Sequence, residues 1–283
     1  MSAVETADTA DLDEIALDLL IEAIYRRYGY DFRNYARASL MRRVKHHLAR
    51  RHVSDIASLI PVVLRDEKRF QSLLFDISVT VTEMFRDPWF FVALQEQVFP
   101  FLQTFPFLNI WVAGCATGEE VYSLAILLQE NGLAGRARIY ATDINATALK
   151  KARSRIYPLD RMKDASRNYL EAGGKHSLSA YYIAEYDAAI LAPSLQKRIT
   201  FASHNLATDG VFGEMHLILC RNVLIYFDRA LQNRVLRTFR GSLRRNGFLC
   251  LGNRETLDFS DVRLEFDCVD PRARIYQFKG DTS

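Results

Sequence analysis

Several common classes are excluded by what the 283-residue chain lacks. No apolar run approaches the roughly 18 residues that a membrane span needs, so no direct membrane insertion is expected. Met1 to Asp13 is acidic and lacks the basic-then-apolar order of a secretory leader, which makes the cytoplasm the expected compartment. Cysteine is scarce: Cys115, Cys220, Cys250 and Cys268 are far apart and form no CxxC pair. Neither a disulfide framework nor a metal site is expected from them, and they read as small apolar residues. There is no GxGxxG, no GKS or GKT, no internal repeat and no low-complexity stretch.

About half of the residues are apolar and a quarter are charged, as in an ordinary globular protein, and the length suits one large domain or two smaller ones. The net charge of +3 hides a strong asymmetry. Every charged residue from Met1 to Glu22 is acidic. From Tyr25 to His52 nearly all are basic: Arg26, Arg27, Arg33, Arg37, Arg42, Arg43, Lys45, Arg50 and Arg51. Such a run is either a solvated helix face or a surface for an acidic partner or nucleic acid.

The first third reads helical. Leu12, Ile15, Leu19 and Ala23 recur at three- and four-residue steps and define one apolar face. Gly29 breaks the pattern. A second helix is expected over 35–51, with Leu40, Val44 and Leu48 as its buried stripe. Ser54 and Asp55 are start signals for a third, and a fourth is expected over 67–76. After Pro88 a helix is expected over 89–102, because proline suits a first turn. Alternation follows: strand 109–113, helix 119–131, strand 138–142, helix 146–155, strand 217–220, helix 229–243, strand 247–251. Alternating strands and helices imply a mostly parallel sheet covered on both faces. Between Tyr157 and Phe201 the alternation lapses, and 181–191 with 198–201 suggest a small antiparallel appendage inserted in the sheet domain.

The chemistry-bearing residues cluster at strand ends. Ala113-Gly114-Cys115-Ala116-Thr117-Gly118-Glu119-Glu120 forms a strand-to-helix turn whose glycines allow a ligand near the backbone. Asp143 ends the next strand, where an acid commonly accepts ribose hydroxyls. Two carboxylates at the helix start would repel a pyrophosphate, which needs an anion cradle there. They suit a nucleoside cofactor that carries an ammonium and a sulfonium, as S-adenosylmethionine does. The plain alternative is a structural glycine turn with carboxylates favoured by the helix dipole.

Four motifs in order carry a resemblance: Thr80-Val81-Thr82-Glu83-Met84-Phe85-Arg86, Gly114 to Glu120, Ala141-Thr142-Asp143-Ile144, and Cys220-Arg221-Asn222-Val223-Leu224-Ile225-Tyr226-Phe227. Together, over about 15–278, the chain resembles the CheR-type chemotaxis receptor methyltransferases. The resemblance implies an α/β fold: a small N-terminal all-helical domain, then a Rossmann-like class I methyltransferase domain with a small inserted antiparallel β subdomain. The corresponding ranges are 12–86, 87–283 and about 173–202. By position, Thr82 and Arg86 match cofactor contacts, and Arg86 suits the methionine carboxylate. Glu120 matches the glutamate of the glycine turn (with Gly114), and Asp143 the ribose-binding aspartate. Asn205 and Leu206 match positions near adenine, Arg221 and Asn222 the pocket mouth, and Tyr226 a tyrosine near the transferred methyl. Thr80 stands where many members have asparagine, so that contact is lost or rearranged. The bland readings are a solvated Arg86, Asp143 as a helix cap, Asn205 as a turn former and Tyr226 as a core aromatic.

The implied reaction is an in-line displacement by a substrate glutamate carboxylate, giving a methyl ester and S-adenosylhomocysteine. A glutamate of pKa near 4.3 is already ionised, so no strong base is needed. That agrees with six histidines (His46, His47, His52, His176, His204, His216) that show no nucleophile-activating context. Catalysis then rests on positioning; Tyr226 and Arg221 are the candidates nearest the chemistry, with Arg221 attracting the incoming carboxylate. The resemblance also implies that basic helix 35–51 docks on the helical bundle of a chemoreceptor-like protein, and that the inserted subdomain corresponds to an element that grips a receptor tail in some members. Monomer is the default state. Two rivals remain: a non-catalytic S-adenosylmethionine-binding signalling module, and a nucleic-acid methyltransferase. The second lacks an Asn/Asp-Pro-Pro-aromatic tetrapeptide, so no nucleic-acid partner is expected.

Overall fold

The computed structural model describes residues 3–78 and 80–280, with side chains from residue 11 onward. They fall into two compact units: Met1–Val79 with Ile225–Gln232, and Thr80–Leu224 with Asn233–Ser283. The expected boundary at Arg86 therefore sits several residues late. Met84 and Phe85 lie in the core of the second unit, and the Phe85 N–H donates to Ser123 Oγ at 2.8 Å. Residues 281–283 of the expected second domain lie outside the described residues.

The first unit is helical: α1 (Ala3–Tyr28), α2 (Arg37–Arg51), α3 (Ile56–Arg65) and α4 (Glu67–Ile77). Asp55 caps α3 by accepting from the Ser58 N–H at 2.7 Å, and Asp66 caps α4 by accepting from Lys68 N–H at 2.9 Å. Leu40, Val44 and Leu48 of α2 are buried, as their spacing requires. The expected apolar face of α1 is corrected. Leu12, Ile15 and Leu19 are 59, 57 and 58 % exposed, whereas Leu17, Leu20, Ile21 and Ile24 form the buried row. Both rows step by three or four residues, so the spacing alone does not choose between them and packing decides which one is covered. Much of the positive charge on α2 is met inside the same unit. Arg37 pairs with Glu14 and Asp18, Lys45 with Asp13, and both His47 and Arg50 with Asp76.

Segment 225–232 packs with these helices. The Ala36 N–H donates to the Tyr226 carbonyl at 2.8 Å, the Asp228 N–H donates to the Asn34 carbonyl at 2.9 Å, and Tyr35 meets Phe227 edge-on with centroids 5.0 Å apart.

The second unit carries a seven-stranded sheet of order β6-β2-β1-β7-β8-β10-β9. Its strands are β1 (Leu108–Ala113), β2 (Ala137–Asp143), β6 (Ile199–Ser203), β7 (Met215–Cys220), β8 (Leu243–Leu251), β9 (Phe266–Asp270) and β10 (Ile275–Phe278). The pairs β6-β2, β2-β1, β1-β7 and β7-β8 are parallel, and β8-β10-β9 is antiparallel. The helices α7 (Glu119–Glu130), α8 (Ala146–Ser154) and α11 (Arg229–Ser242) follow β1, β2 and β7 in the chain. Tertiary structure changes the helix expected over 89–102. It is α5 (Pro88–Ala93), one π turn over Leu94–Val98, and α6 (Phe99–Leu102). Pro100 has no N–H to give an α ladder, and a π turn absorbs the mismatch.

The appendage is a separate sheet of order β3-β5-β4, built from Ile156–Pro158, Ala188–Leu191 and Tyr182–Glu185. Residues 198–201 do not belong to it. Residues 199–201 fall in β6, which pairs parallel with β2 and whose Ile199 and Phe201 pack on the main core, and 198 immediately precedes it. The apparent lapse in alternation also hides α9 (Met162–Glu171) and the short α10 (Pro193–Gln196).

The two rows of α1 make opposite predictions. Leu20→Ala should cost roughly 2–5 kcal/mol, while Leu19→Ser should stay within about 0.5 kcal/mol. Urea unfolding of both variants checks this; equal losses would mean that the outward row is buried.

Candidate functional site

Parallel pairing puts the carboxyl ends of β1, β2, β6 and β7 along one edge, and the residues predicted from sequence follow those ends. Gly114 leaves β1 with φ +71°, and a Cβ there would lie 2.5 Å from Val223 Cγ2. Glycine is thus required by close packing against the loop after β7. Gly118, with φ +94°, has Ala152 Cβ 2.8 Å from where its own Cβ would stand. Ala116 also adopts a left-handed conformation, with φ 48°.

Asp143 ends β2 and is nearly buried. Its Oδ2 accepts from the Ala116 N–H and its Oδ1 from the Asn145 N–H, each at 2.8 Å. Burial pushes this carboxyl up, and the N–H groups of Asn145 and Ala116 oppose the shift. Asp143 is not the cap of α8. Asn145 takes that role, accepting from the Thr147 and Ala148 N–H groups. Each Asp143 oxygen accepts one of these backbone donors, so lone-pair capacity is left for two hydroxyls.

The first turn of α7 is acidic and half-buried. Glu119 accepts from Thr117 Oγ1 at 2.6 Å, and burial pushes its carboxyl up. Glu120 accepts from Arg221 Nη1 at 2.7 Å, and Arg221 Nη2 donates to Asp87 Oδ2 at 2.7 Å. The Arg221 side chain is only 2 % exposed and its guanidinium carbon lies 4.0 Å from the Phe90 ring centroid. It is therefore no open receiver for an incoming carboxylate, as the sequence suggested, but an internal clamp between two acids. Burial pushes the Glu120 carboxyl up, and the charges of Arg221 and Arg86 pull it back. Arg221 Nε is buried without a hydrogen-bond partner.

Arg86 is half-buried, and its carbonyl lies 3.4 Å from both Nη atoms of Arg221. Its guanidinium has no ion pair among the described residues. Thr80 and Thr82 are half-buried and make no side-chain hydrogen bond among the described residues. Beyond β6, the His204 N–H donates to the Asp143 carbonyl, which brings Asn205 and Leu206 alongside the end of β2. Asn205 Oδ1 accepts from the Ala207 N–H at 3.0 Å, a turn-forming contact, and Leu206 is buried. Asn222 has φ 60° and its N–H donates to Glu255. Tyr226 belongs to segment 225–232 of the helical unit, where the Arg43 guanidinium carbon lies 4.2 Å from its ring centroid.

Sequence reasoning missed Asp87, Phe90 and Glu255. Asp87 is left-handed, with φ 58°, a conformation that the sequence does not announce. Glu255 was findable: it is an acid in the loop that follows a buried strand, four residues past the end of β8. Chemically, the edge offers hydroxyl-accepting carboxylate and carboxylate-lined space, and the start of α7 is hostile to a pyrophosphate. These features fit a cationic nucleoside better than a dinucleotide.

Two family models match the chain. Residues 80–274 match "CheR methyltransferase, SAM binding domain", and residues 15–78 match "CheR methyltransferase, all-alpha domain". A Pseudomonas putida protein called "Putative methyltransferase Cher3" is 47 % identical over 264 residues, 93 % of this chain and 97 % of that protein. The chemotaxis protein methyltransferase of Salmonella typhimurium is 29 % identical over 258 residues, covering 87 % of this chain and 85 % of that one. The Listeria monocytogenes protein of the same name is 28 % identical over 236 residues, covering 83 % and 87 %.

Arg221→Ala should leave the half-buried acids Glu120 and Asp87 without their shared cation and cost about 3 kcal/mol, the low end for a broken buried pair because both acids keep some contact with solvent. Denaturant titration measures it; an unchanged midpoint would mean that solvent already screens the clamp.

Proposed function

We propose, from the premise that this chain belongs to the CheR methyltransferase family, that it methylates glutamate side chains of a chemoreceptor-like protein. The methyl donor is S-adenosylmethionine. The single observation that carries the reading is Asp143. It is an acid at the end of the second strand, braced by backbone donors that include the Ala116 and Asn145 N–H groups, and beside a glycine turn whose helix begins with half-buried carboxylates.

Bound S-adenosylmethionine supplies the electrophile, a methyl group on a sulfonium. The chain's own residues bind and orient. Asp143 accepts the ribose hydroxyls, and Asn205 and Leu206 flank adenine. Arg86 takes the methionine carboxylate as a charge-assisted partner, while Glu120 faces the ammonium. Arg221 acts from inside, fixing Glu120 relative to Asp87. Gly114 and Asn222 shape the backbone around the crevice, and Thr80 and Thr82 line the approach. The acceptor glutamate is ionised at neutral pH, so positioning carries the rate and no base is required. For Tyr226 the role beside the methyl path rests on the resemblance alone.

The receptor partner would meet the helical unit through α2, in the cytoplasm and with the enzyme as a monomer. Charge pairing within the unit narrows the contact. Arg42, His46 and Arg51 remain exposed and make no ion pair among the described residues, although Arg51 donates to Ser72 Oγ. Among the described residues no helix is long and apolar enough to cross a membrane.

Three measurements test this reading. Asp143→Ala should weaken S-adenosylhomocysteine binding by about tenfold or more in calorimetry, the expected scale for a lost charged hydrogen-bond acceptor. Tyr226→Phe should lose turnover more than cofactor affinity. With radiolabelled donor and chemoreceptor cytoplasmic fragments, the label should appear on protein and be base-labile. Label on nucleic acid, or none with any fragment, would overturn the assignment.

A further inference from the structure

A second carboxylate sits at the same sheet edge, and none of the predicted roles uses it. Glu255 follows β8 and is 4 % exposed. Its Oε1 accepts from the Val223 N–H at 2.8 Å; its Oε2 accepts from Asn222 N–H at 3.0 Å and from Gly252 N–H at 2.6 Å. Two of these donors belong to the loop after β7, and the third lies just past β8. One side chain thus ties together the ends of two neighbouring parallel strands, where Cys220 pairs with Leu251.

The tie lies where the backbone is tightest. A Cβ on Gly252 would stand 2.7 Å from both Asn222 N and Glu255 Oε2, so the two strand exits touch through a glycine. Asn222 is held left-handed, with φ 60°. A non-glycine residue keeps such a conformation only where its surroundings over-determine it, and the carboxylate supplies charge-assisted hydrogen bonds on both sides of its peptide. The loop fixed in this way carries Arg221, the clamp of Glu120, immediately before Asn222. It carries Val223 immediately after, whose methyl fills the space where a side chain on Gly114 would be.

We propose that Glu255 is a positioning residue of the cofactor site, acting through the Arg221–Val223 loop on Glu120 and on the glycine turn. This rests on the cofactor reading given above. Glu255 touches no reacting group itself. Its carboxylate sets the height and orientation of the loop, and the loop sets where the first turn of α7 presents its acid.

The experiment compares full-length Glu255→Gln with Asp143→Ala by S-adenosylhomocysteine calorimetry. It adds steady-state kinetics on a chemoreceptor fragment. Glutamine keeps the shape but turns an amide NH₂ toward at least one backbone donor. The Kd and the KM for the donor should rise about ten- to a hundredfold, the scale of a charged hydrogen bond replaced by a clash of donors. The kcat should hold at saturating donor, and the folded-state spectrum should match wild type. Wild-type affinity in Glu255→Gln with loss in Asp143→Ala would overturn the positioning role and leave the cofactor reading standing. Wild-type affinity in both would remove the cofactor reading itself. Should Glu255→Gln fail to fold, amide hydrogen exchange on the wild-type protein decides. Asn222, Val223 and Gly252 should gain protection together when S-adenosylhomocysteine binds, and unchanged exchange at all three would overturn the proposal.

Discussion

The guanidinium of Arg221, held between Asp87 and Glu120, is the contact on which the sheet-edge architecture turns. Two carboxylates and a cation are taken out of water together, with hydrogen bonds of 2.7 Å on each side and the Phe90 ring beneath. Such a cluster adds little net stability compared with an apolar filling of the same space, yet losing one member is expensive. Its value is geometric. Asp87 precedes α5, Glu120 opens α7, and Arg221 leaves β7, so one planar group fixes three chain segments with respect to each other.

Around that clamp the backbone makes several close approaches that only particular residues permit. Val223 lies against Gly114, Ala152 against Gly118, and the Glu255 carboxylate against Gly252. Acids at strand ends are a shared solution here: Asp143 and Glu255 each gather backbone N–H groups from loops that no regular ladder would satisfy. Each buried carboxylate accepts what the local chain leaves unpaired, which is how irregular backbone survives beneath a surface. Asp143 braces the exits of β1 and β2 in this way, and Glu255 those of β7 and β8.

The sequence made the parallel core legible because β1, β2 and β7 are short apolar runs closed by glycine, an acid or an arginine. The helical unit was legible through caps at Asp55 and stripes such as Leu40-Val44-Leu48. It failed where two patterns compete. In α1, two apolar rows have the same period, and only packing decides which one is covered. Residues 199–203 lie beyond the antiparallel excursion, and their membership in the main sheet depends on pairing with β2, a non-local event. Site residues flagged by strand ends fell along one edge, while Asp87 depended on a left-handed backbone, and the burial of Arg221 depended on partners more than 100 positions away in sequence.

The helical unit began, in sequence, as a strongly polarised segment, acidic and then basic, but folding pairs part of one half with the other, Asp13 with Lys45 and both Glu14 and Asp18 with Arg37, while Asp76 of α4 takes Arg50. A surface so discharged casts little field beyond a Debye length, about 8 Å at physiological salt. Any visitor to it must be recognised on contact and not drawn in from afar.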